Sequence, residues 1–261
     1  MDPGLRTPLV DFFRRGEVAG DVKLLAAQGA LAPRPAEQLA ILLILLEDPD
    51  PQIASTALAT VEALPRRALQ DFLARPDTPS EMRAFFGGRG IEPSETPAPD
   101  LAEPLVDNGD MSDLADVALG EEEEPRKRPL HALTVMERMK LAMRGTREQR
   151  SVLIRDANKI VAVAVLSSPK LTETEVESFA RMANVSEHVL RIIGTSRSWI
   201  KNYAVASGLI RNPKTPPAIS VPLVSRLNER DLKMLAADRN IPEALRVSAR
   251  KIITTNQLRR Q

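Results

Sequence analysis

The stretch TSRSWIKNYAVASGLIRNPK, residues 195–214, sets Trp199 and Tyr203 four apart, with Arg197, Lys201 and Arg211 around them. At helical spacing the two rings share one face. An aromatic pair beside cations can stack an unpaired base and hold its phosphate. The same pair also suits an inter-helix core, with the rings inside and the polar tips at the edge. Further along, Arg246, Arg250 and Lys251 repeat the cationic theme. Arg246 and Arg250 stand at i,i+4, as do Arg155 and Lys159, so each pair is expected to share a helix face. Arg144, Arg147, Arg150, Arg259 and Arg260 add to the supply. Gathered on one curved surface, such rows bind phosphate by releasing counterions; dispersed, they only solvate their helices. The candidate binding surface is therefore Arg197, Trp199, Lys201, Tyr203, Arg211, Arg246, Arg250 and Lys251.

Catalytic groups are scarcer. The absence of cysteine removes disulfides, thiolate metal sites, iron–sulfur ligation and a cysteine nucleophile together. The two histidines, His131 and His188, have no HExxH-like spacing, and no GxxxxGK[ST] or GxGxxG occurs. His188 reads as a first-turn helix residue, and Glu173 and Glu177 as a solvated helix face on which like charges mildly repel. FFGGRG, residues 85–90, reads as a helix end, with a small nucleic-acid contact as the alternative. No catalytic, metal-binding or cofactor-binding residue is assigned, and a protein that is not an enzyme and carries no cofactor is expected.

The elements that must position these residues follow from composition. Hydrophobic residues make up 43% of 261 and aromatics only 3%, so the apolar material is mainly Ala, Val, Leu and Ile. That profile favours helices over a β-sandwich. The run LAILLILL, Leu39–Leu46, is too short to span a bilayer and reads as a buried helix. MDPGLRTPLVDFFRRG lacks the basic-then-apolar order of a signal peptide. A soluble cytoplasmic protein with no membrane insertion is expected.

The net charge of +1 conceals an asymmetry. Residues 131–261 carry 23 Lys+Arg against 11 Asp+Glu, and residues 1–130 carry 13 against 24. Residues 91–124 hold twelve acids and no Lys or Arg, after which the sign reverses at Arg126-Lys127-Arg128. A proline-rich acidic segment buries too little apolar surface to offset the entropy of ordering it, so 91–129 reads as a flexible, self-repelling linker. Within it, LAEPLV and MSDLADVAL are apolar enough to dock transiently or form a short helix. The linker serves as a solvating tether, or it covers the basic C-terminal surface until a polyanion displaces it.

A repeated phrase gives the architecture. LPRRALQDFLARPDTPSEMR (64–83), LTETEVESFARMANVSEHVL (171–190) and LNERDLKMLAADRNIPEALR (227–246) align without gaps. They superpose Leu64, Leu171 and Leu227; Leu69, Val176 and Leu232; Phe72, Phe179 and Leu235; and Met82, Val189 and Leu245. That spacing belongs to helices burying one stripe. Thr134 with Glu137, Thr146 with Gln149, and Thr172 with Glu175 form capping boxes, and Thr78-Pro79 and Thr215-Pro216 read as N-cap and first helical residue. Helix starts recur at Pro51 and Pro79, then at Ser186, Pro216 and Pro242, at intervals of 26 to 30 residues, a period typical of stacked helical pairs.

In LIRNPKTPPAIS and LAADRNIPEALR the chain resembles HEAT-like and leucine-rich-repeat-variant solenoids, over most of residues 35–86 and 135–255. The segment from VMERMKLAMRGTREQR to RMANVS also resembles an uncharacterised group of bacterial proteins. The resemblance implies a binding surface and transfers no catalytic residue. Some HEAT-like solenoids act on alkylated DNA with aromatics and an acid; here no Asp or Glu lies between Trp199 and Lys214, which disfavours that chemistry.

The expectation is an all-α protein of short helical-hairpin repeats in two blocks: 1–90, an acidic linker at 91–129, and a basic block at 130–261. The expected function is an interaction scaffold binding another protein. The alternative is a nucleic-acid- or ribosome-associated module that uses the basic block, gated by the linker.

Overall fold

The computed structural model describes residues 3–31, 33–96, 103–114, 117–118 and 128–258, and these are predominantly helical. Two compact units divide the chain, Met1–Leu171 and Thr172–Gln261. The first holds α1 (Pro8–Arg14), α2 (Gly20–Ala27), α3 (Pro35–Leu45), α4 (Pro51–Glu62), α5 (Arg66–Leu73), α6 (Ser80–Gly87), α7 (Val135–Arg144), α8 (Arg147–Leu153) and α9 (Lys159–Ser167). The second holds α10 (Glu173–Arg181), α11 (Glu187–Thr195), α12 (Tyr203–Arg211), α13 (Pro217–Leu223), α14 (Glu229–Ala237) and α15 (Glu243–Leu258). Single 3-10 turns occur at Ser112–Leu114, Leu130–Ala132, Trp199–Lys201 and Val224–Arg226. Among the described residues the strand content is one two-residue parallel pairing, Val117–Ala118 with Arg128–Pro129. The protein is all-helical in class.

Helix starts are written in side-chain oxygens that satisfy orphan backbone donors. Thr134, Thr146 and Thr172 each complete a capping box with Glu137, Gln149 and Glu175. Asp50, Asn158, Ser186, Asn202 and Asn228 cap α4, α9, α11, α12 and α14. Thr78 and Thr215 are placed differently from the expectation: α6 and α13 begin one residue later, with Pro79 and Pro216 as their N-caps. The reason at Thr78 is a competing acceptor, since its buried hydroxyl donates to the Phe72 carbonyl at 2.8 Å. FFGGRG ends α6 as expected: Gly90 takes a left-handed φ of 72° and the Ile91 amide returns to the Phe86 carbonyl.

The aligned phrase fills cores. Leu64, Leu69, Phe72 and Met82 are buried, as are Val176, Phe179 and Val189, and Leu227, Leu232, Leu235 and Leu245; Leu171 is half-buried. The LAILLILL helix is α3, buried along most of its length beside α1, α2 and α4. Its counterpart is α9, whose residues Ile160 to Ser167 are all buried against α1, α7 and α8. An apolar helix of this kind needs cover on every side. The sequence reading began a new block at residue 130, whereas α7 to α9 pack with the N-terminal helices and the units divide after Leu171. Ser167 of α9 donates to the buried Glu37 of α3 at 3.2 Å within that core.

Part of the segment read as a flexible tether is docked on the first unit. The Val106 amide donates to Gln38 Oε1 at 3.1 Å, and Gln38 Nε2 donates to the Val106 carbonyl at 2.5 Å. Asn108 bonds to the Gln28 and Gly29 carbonyls, and Leu114 is buried. Asp107 and Asp113 pair with Arg144 and Lys140 of α7. Val106 of LAEPLV and Asp113 and Leu114 of MSDLADVAL are among these anchors, with Asp107 and Asn108 between the two pieces, so apolar side chains and backbone donors overcome the repulsion among the acids. Glu121–Glu124 and Arg126-Lys127 lie outside the described residues.

In the second unit each helix pair meets the next. α12 packs on α10, α13 on α11 and α12, and α15 on α13 and α14. Glycine makes two of these approaches close: a Cβ on Gly208 would stand 3.1 Å from Arg181 Cγ and 3.2 Å from Ala180 Cβ, and one on Gly194 would overlap Ile219. Asn212, 5% exposed, donates to the Ala180 and Met182 carbonyls at 2.9 and 3.0 Å and accepts from the Lys214 amide at 3.0 Å. One amide side chain thus satisfies the carbonyls that end α10 from the turn that ends α12.

Candidate functional site

A cleft of about 480 Å³ opens where α10 and α12 end beside the first turn of α14. Arg181, Ser207, Gly208, Arg211, Pro213 and Asp231 line it, together with the buried Asn212. Gly208 lets the two helices approach, and the Asn228 cap, accepting the Asp231 amide at 2.8 Å, fixes the start of α14. Asp231 then receives two donors. Arg211 Nη2 reaches Asp231 Oδ1 at 2.8 Å, and the Tyr203 hydroxyl donates to Asp231 Oδ2. The Tyr203 oxygen in turn accepts from the Asn228 amide at 3.3 Å. Partial burial, and then the donated bond to Asp231, hold the Tyr203 phenol above its ordinary value, so it remains a neutral donor. The half-exposed Arg211–Asp231 pair adds at most about 1 kcal/mol of stability. Its larger effect is to orient the guanidinium. Arg181 stands across the cleft, exposed and without an ion pair among the described residues.

The sequence-predicted residues are only partly brought together. Trp199 and Tyr203 do not share a helix face, because Trp199 opens a 3-10 turn and Asn202 starts a fresh helix at Tyr203. The capping side chain of Asn202 accepts from the Ala204 amide at 2.8 Å and donates to Glu177 at 2.8 Å and Glu173 at 3.4 Å, so the carboxylate pair read as a solvated face anchors the start of α12. Arg197 and Lys201 are exposed around the turn, and Trp199 is half-buried. Arg211 is the predicted cation that lies in the cleft.

Arg246 and Arg250 do share α15, but neither is a free charge. Arg246 pairs with Glu243, and Arg250 donates to the Ala236 carbonyl at 3.4 Å, binding α15 to the end of α14. Lys251 is exposed. Arg155 and Lys159 lie on different elements, one after α8 and the other opening α9. Arg150 is buried and donates to the Gly145 and Lys170 carbonyls. Arg259 and Arg260 lie outside the described residues. His188 occupies the first turn of α11.

Arg181, Ser207, Asn212 and Asp231 were missed. The sequence held a signal for two of them: Arg181 follows Phe179 by two residues as Arg211 follows Leu209, and Asn212 is the residue after Arg211. The acid absent from residues 200–213 comes from Asp231, 28 residues beyond Tyr203.

No family model, curated protein or solved structure matches the chain. Among the described residues no helix is long and apolar enough to cross a membrane, and no group of three or more His, Cys, Asp or Glu is placed to hold a metal ion.

Proposed function

We propose that this chain is a non-enzymatic scaffold whose second unit stacks hairpins α10/α11, α12/α13 and α14/α15 as a HEAT-like solenoid and recognises another protein at the edge where they meet. Asn212 is the observation that carries this reading. Both of its side-chain N–H donors join the turn that ends α10 to its own, and its carbonyl holds that second turn in place, which is the work a stacked repeat requires of an inter-repeat residue. The cleft beside it presents donors supplied by successive hairpins. A photoreactive residue in place of Ser207 tests the reading. In the full chain, irradiated in cells, it is expected to yield discrete protein adducts that the same residue at exposed Gln52 does not; equal adducts at both positions overturn the reading.

The second reading rests on the charge of residues 172–261, with 15 Lys+Arg against 8 Asp+Glu and with Arg197, Lys201 and Lys251 exposed. It makes the chain a nucleic-acid- or ribosome-associated module, with its acidic segment as an electrostatic gate. Titrating the full chain with RNA and DNA across a salt series separates the two readings. Phosphate recognition gives an affinity that falls steeply with salt, and protein recognition gives weak binding indifferent to sequence. Nucleic-acid adducts at position 207 transfer the assignment to this reading.

A further inference from the structure

We infer that the cleft between the ends of α10 and α12 is a carboxylate-binding site that takes an aspartate or glutamate side chain of an acidic partner segment. The inference rests on the protein-recognition reading and names the chemistry of its partner.

Three features of the cleft select the ligand. First, the lining is rich in donor residues: Arg181, Ser207 and Arg211, whose guanidinium keeps donors beyond the one given to Asp231, border an opening at which Asp231 is the one acidic residue among the described lining. Both N–H donors of the Asn212 side chain are committed elsewhere, so it adds no donor for a ligand. Acceptor-only ligands complement such a lining, and a guanidinium fork matches a carboxylate in plane and spacing. Second, two guanidiniums against one carboxylate leave a single positive charge. A monoanion balances it, whereas a phosphomonoester dianion leaves an uncompensated negative charge beside Asp231. Third, a nucleic-acid strand needs stacking faces beside the phosphate contact. Here the Tyr203 hydroxyl is tied to Asp231 and Trp199 belongs to a separate turn, so the stacked pair that a base would require is not assembled.

Arg181 and Arg211 also hold the same place in successive hairpins, two residues beyond Phe179 and Leu209. They face one opening because the helices that carry them touch at Gly208. The two forks are thus presented by the repeat itself.

The probe is a capped hexaglutamate peptide titrated into the full chain, with capped hexaglutamine, inorganic phosphate and a short single-stranded oligonucleotide alongside. Hexaglutamate is expected to bind, and hexaglutamine is not. Arg181→Gln keeps the aliphatic stem that packs on Gly208 and removes the charge; it is expected to weaken hexaglutamate binding about tenfold or more, the usual effect of losing a charged hydrogen-bond partner. Arg211→Ala is expected to act alike, and Arg67→Ala, at an exposed position of α5, to leave binding unchanged. Because Arg181 is exposed and makes no ion pair among the described residues, its variant retains the fold, which circular dichroism checks. Equal binding by Arg181→Gln, equal binding of the glutamine peptide, no binding by the parent chain, or an Arg181-dependent preference for phosphate or oligonucleotide overturns the assignment. Protein adducts at position 207 without hexaglutamate binding leave the scaffold reading standing and remove this one. Hexaglutamate binding without protein adducts does the reverse.

Discussion

Glu37 shows how one residue sets the conditions under which the first unit is stable. It lies in the core between α3 and α9, where Ser167 donates to it. Burial raises its pKa from the ordinary 4.5, and the bonds from Thr7 and Ser167 and the charge of Arg34 oppose that rise without cancelling it. Below 4.5 the carboxyl is protonated in both the folded and unfolded chain. As pH rises through 4.5, the unfolded chain ionises while the folded core still holds the proton, so stability is lost until the folded group ionises too. Glu37→Gln mimics the neutral acid and escapes that loss. Urea unfolding is therefore expected to find the variant more stable than the parent at pH 7, with the gap closing near pH 4. A gap of the same size at both values would show that ionisation of Glu37 is not the cause. Nothing in PAEQLAILLIL marks Glu37 as buried, because the signal is a neighbour 130 residues away. Asp231 escaped notice for the same reason, as its partners Tyr203 and Arg211 stand 28 and 20 residues earlier.

Among the elements, the contact of α12 on α10 has the sharpest test. Alanine at position 208 would press on Ala180 and Arg181 at 3.1 to 3.2 Å, a strain partly offset by its better helix propensity. Valine adds two methyl groups where the neighbouring helix leaves no room. Gly208→Val is expected to cost about 1–3 kcal/mol and to disturb the cleft. Gly20→Val, at a position with open space around it, is expected to cost less. Equal unfolding midpoints for the two variants would mean that the helices can separate freely. Elements were the most legible part of this sequence, because caps are local. Thr134, Thr146 and Thr172 needed only a residue three positions on. Thr78 and Thr215 misled because the motif fixes the turn without fixing where the hydroxyl goes, and at Thr78 a carbonyl six residues back took it. The i,i+4 rule failed at Trp199–Tyr203 and at Arg155–Lys159 because a break fell inside each interval.

For the whole molecule the decisive feature is where the compact units divide. Charge and proline drew the boundary along residues 91–129, where the change in composition is largest. Packing draws it after Leu171, since α9 is apolar on all sides and gains cover from α1 as well as from α7 and α8. Composition reports solvation of a segment, whereas a unit boundary reports which buried faces meet, and only the second depends on contacts distant in sequence. Two fragments separate these influences. Residues 172–261 contain all of α10 to α15 and their shared core, so this fragment is expected to unfold cooperatively on its own. Residues 130–261 carry α7 to α9 away from α1 and α3, uncovering the side of α9 that packs on α1, a helix buried from Ile160 to Ser167 in the intact chain. That longer fragment is expected to bind a hydrophobic dye and to lose residues 130–171 to limited proteolysis, leaving the shorter one as the protected core. If residues 130–171 resist the protease as firmly as residues 172–261 do, α7 to α9 complete their own core, and the boundary drawn from charge is the physical one.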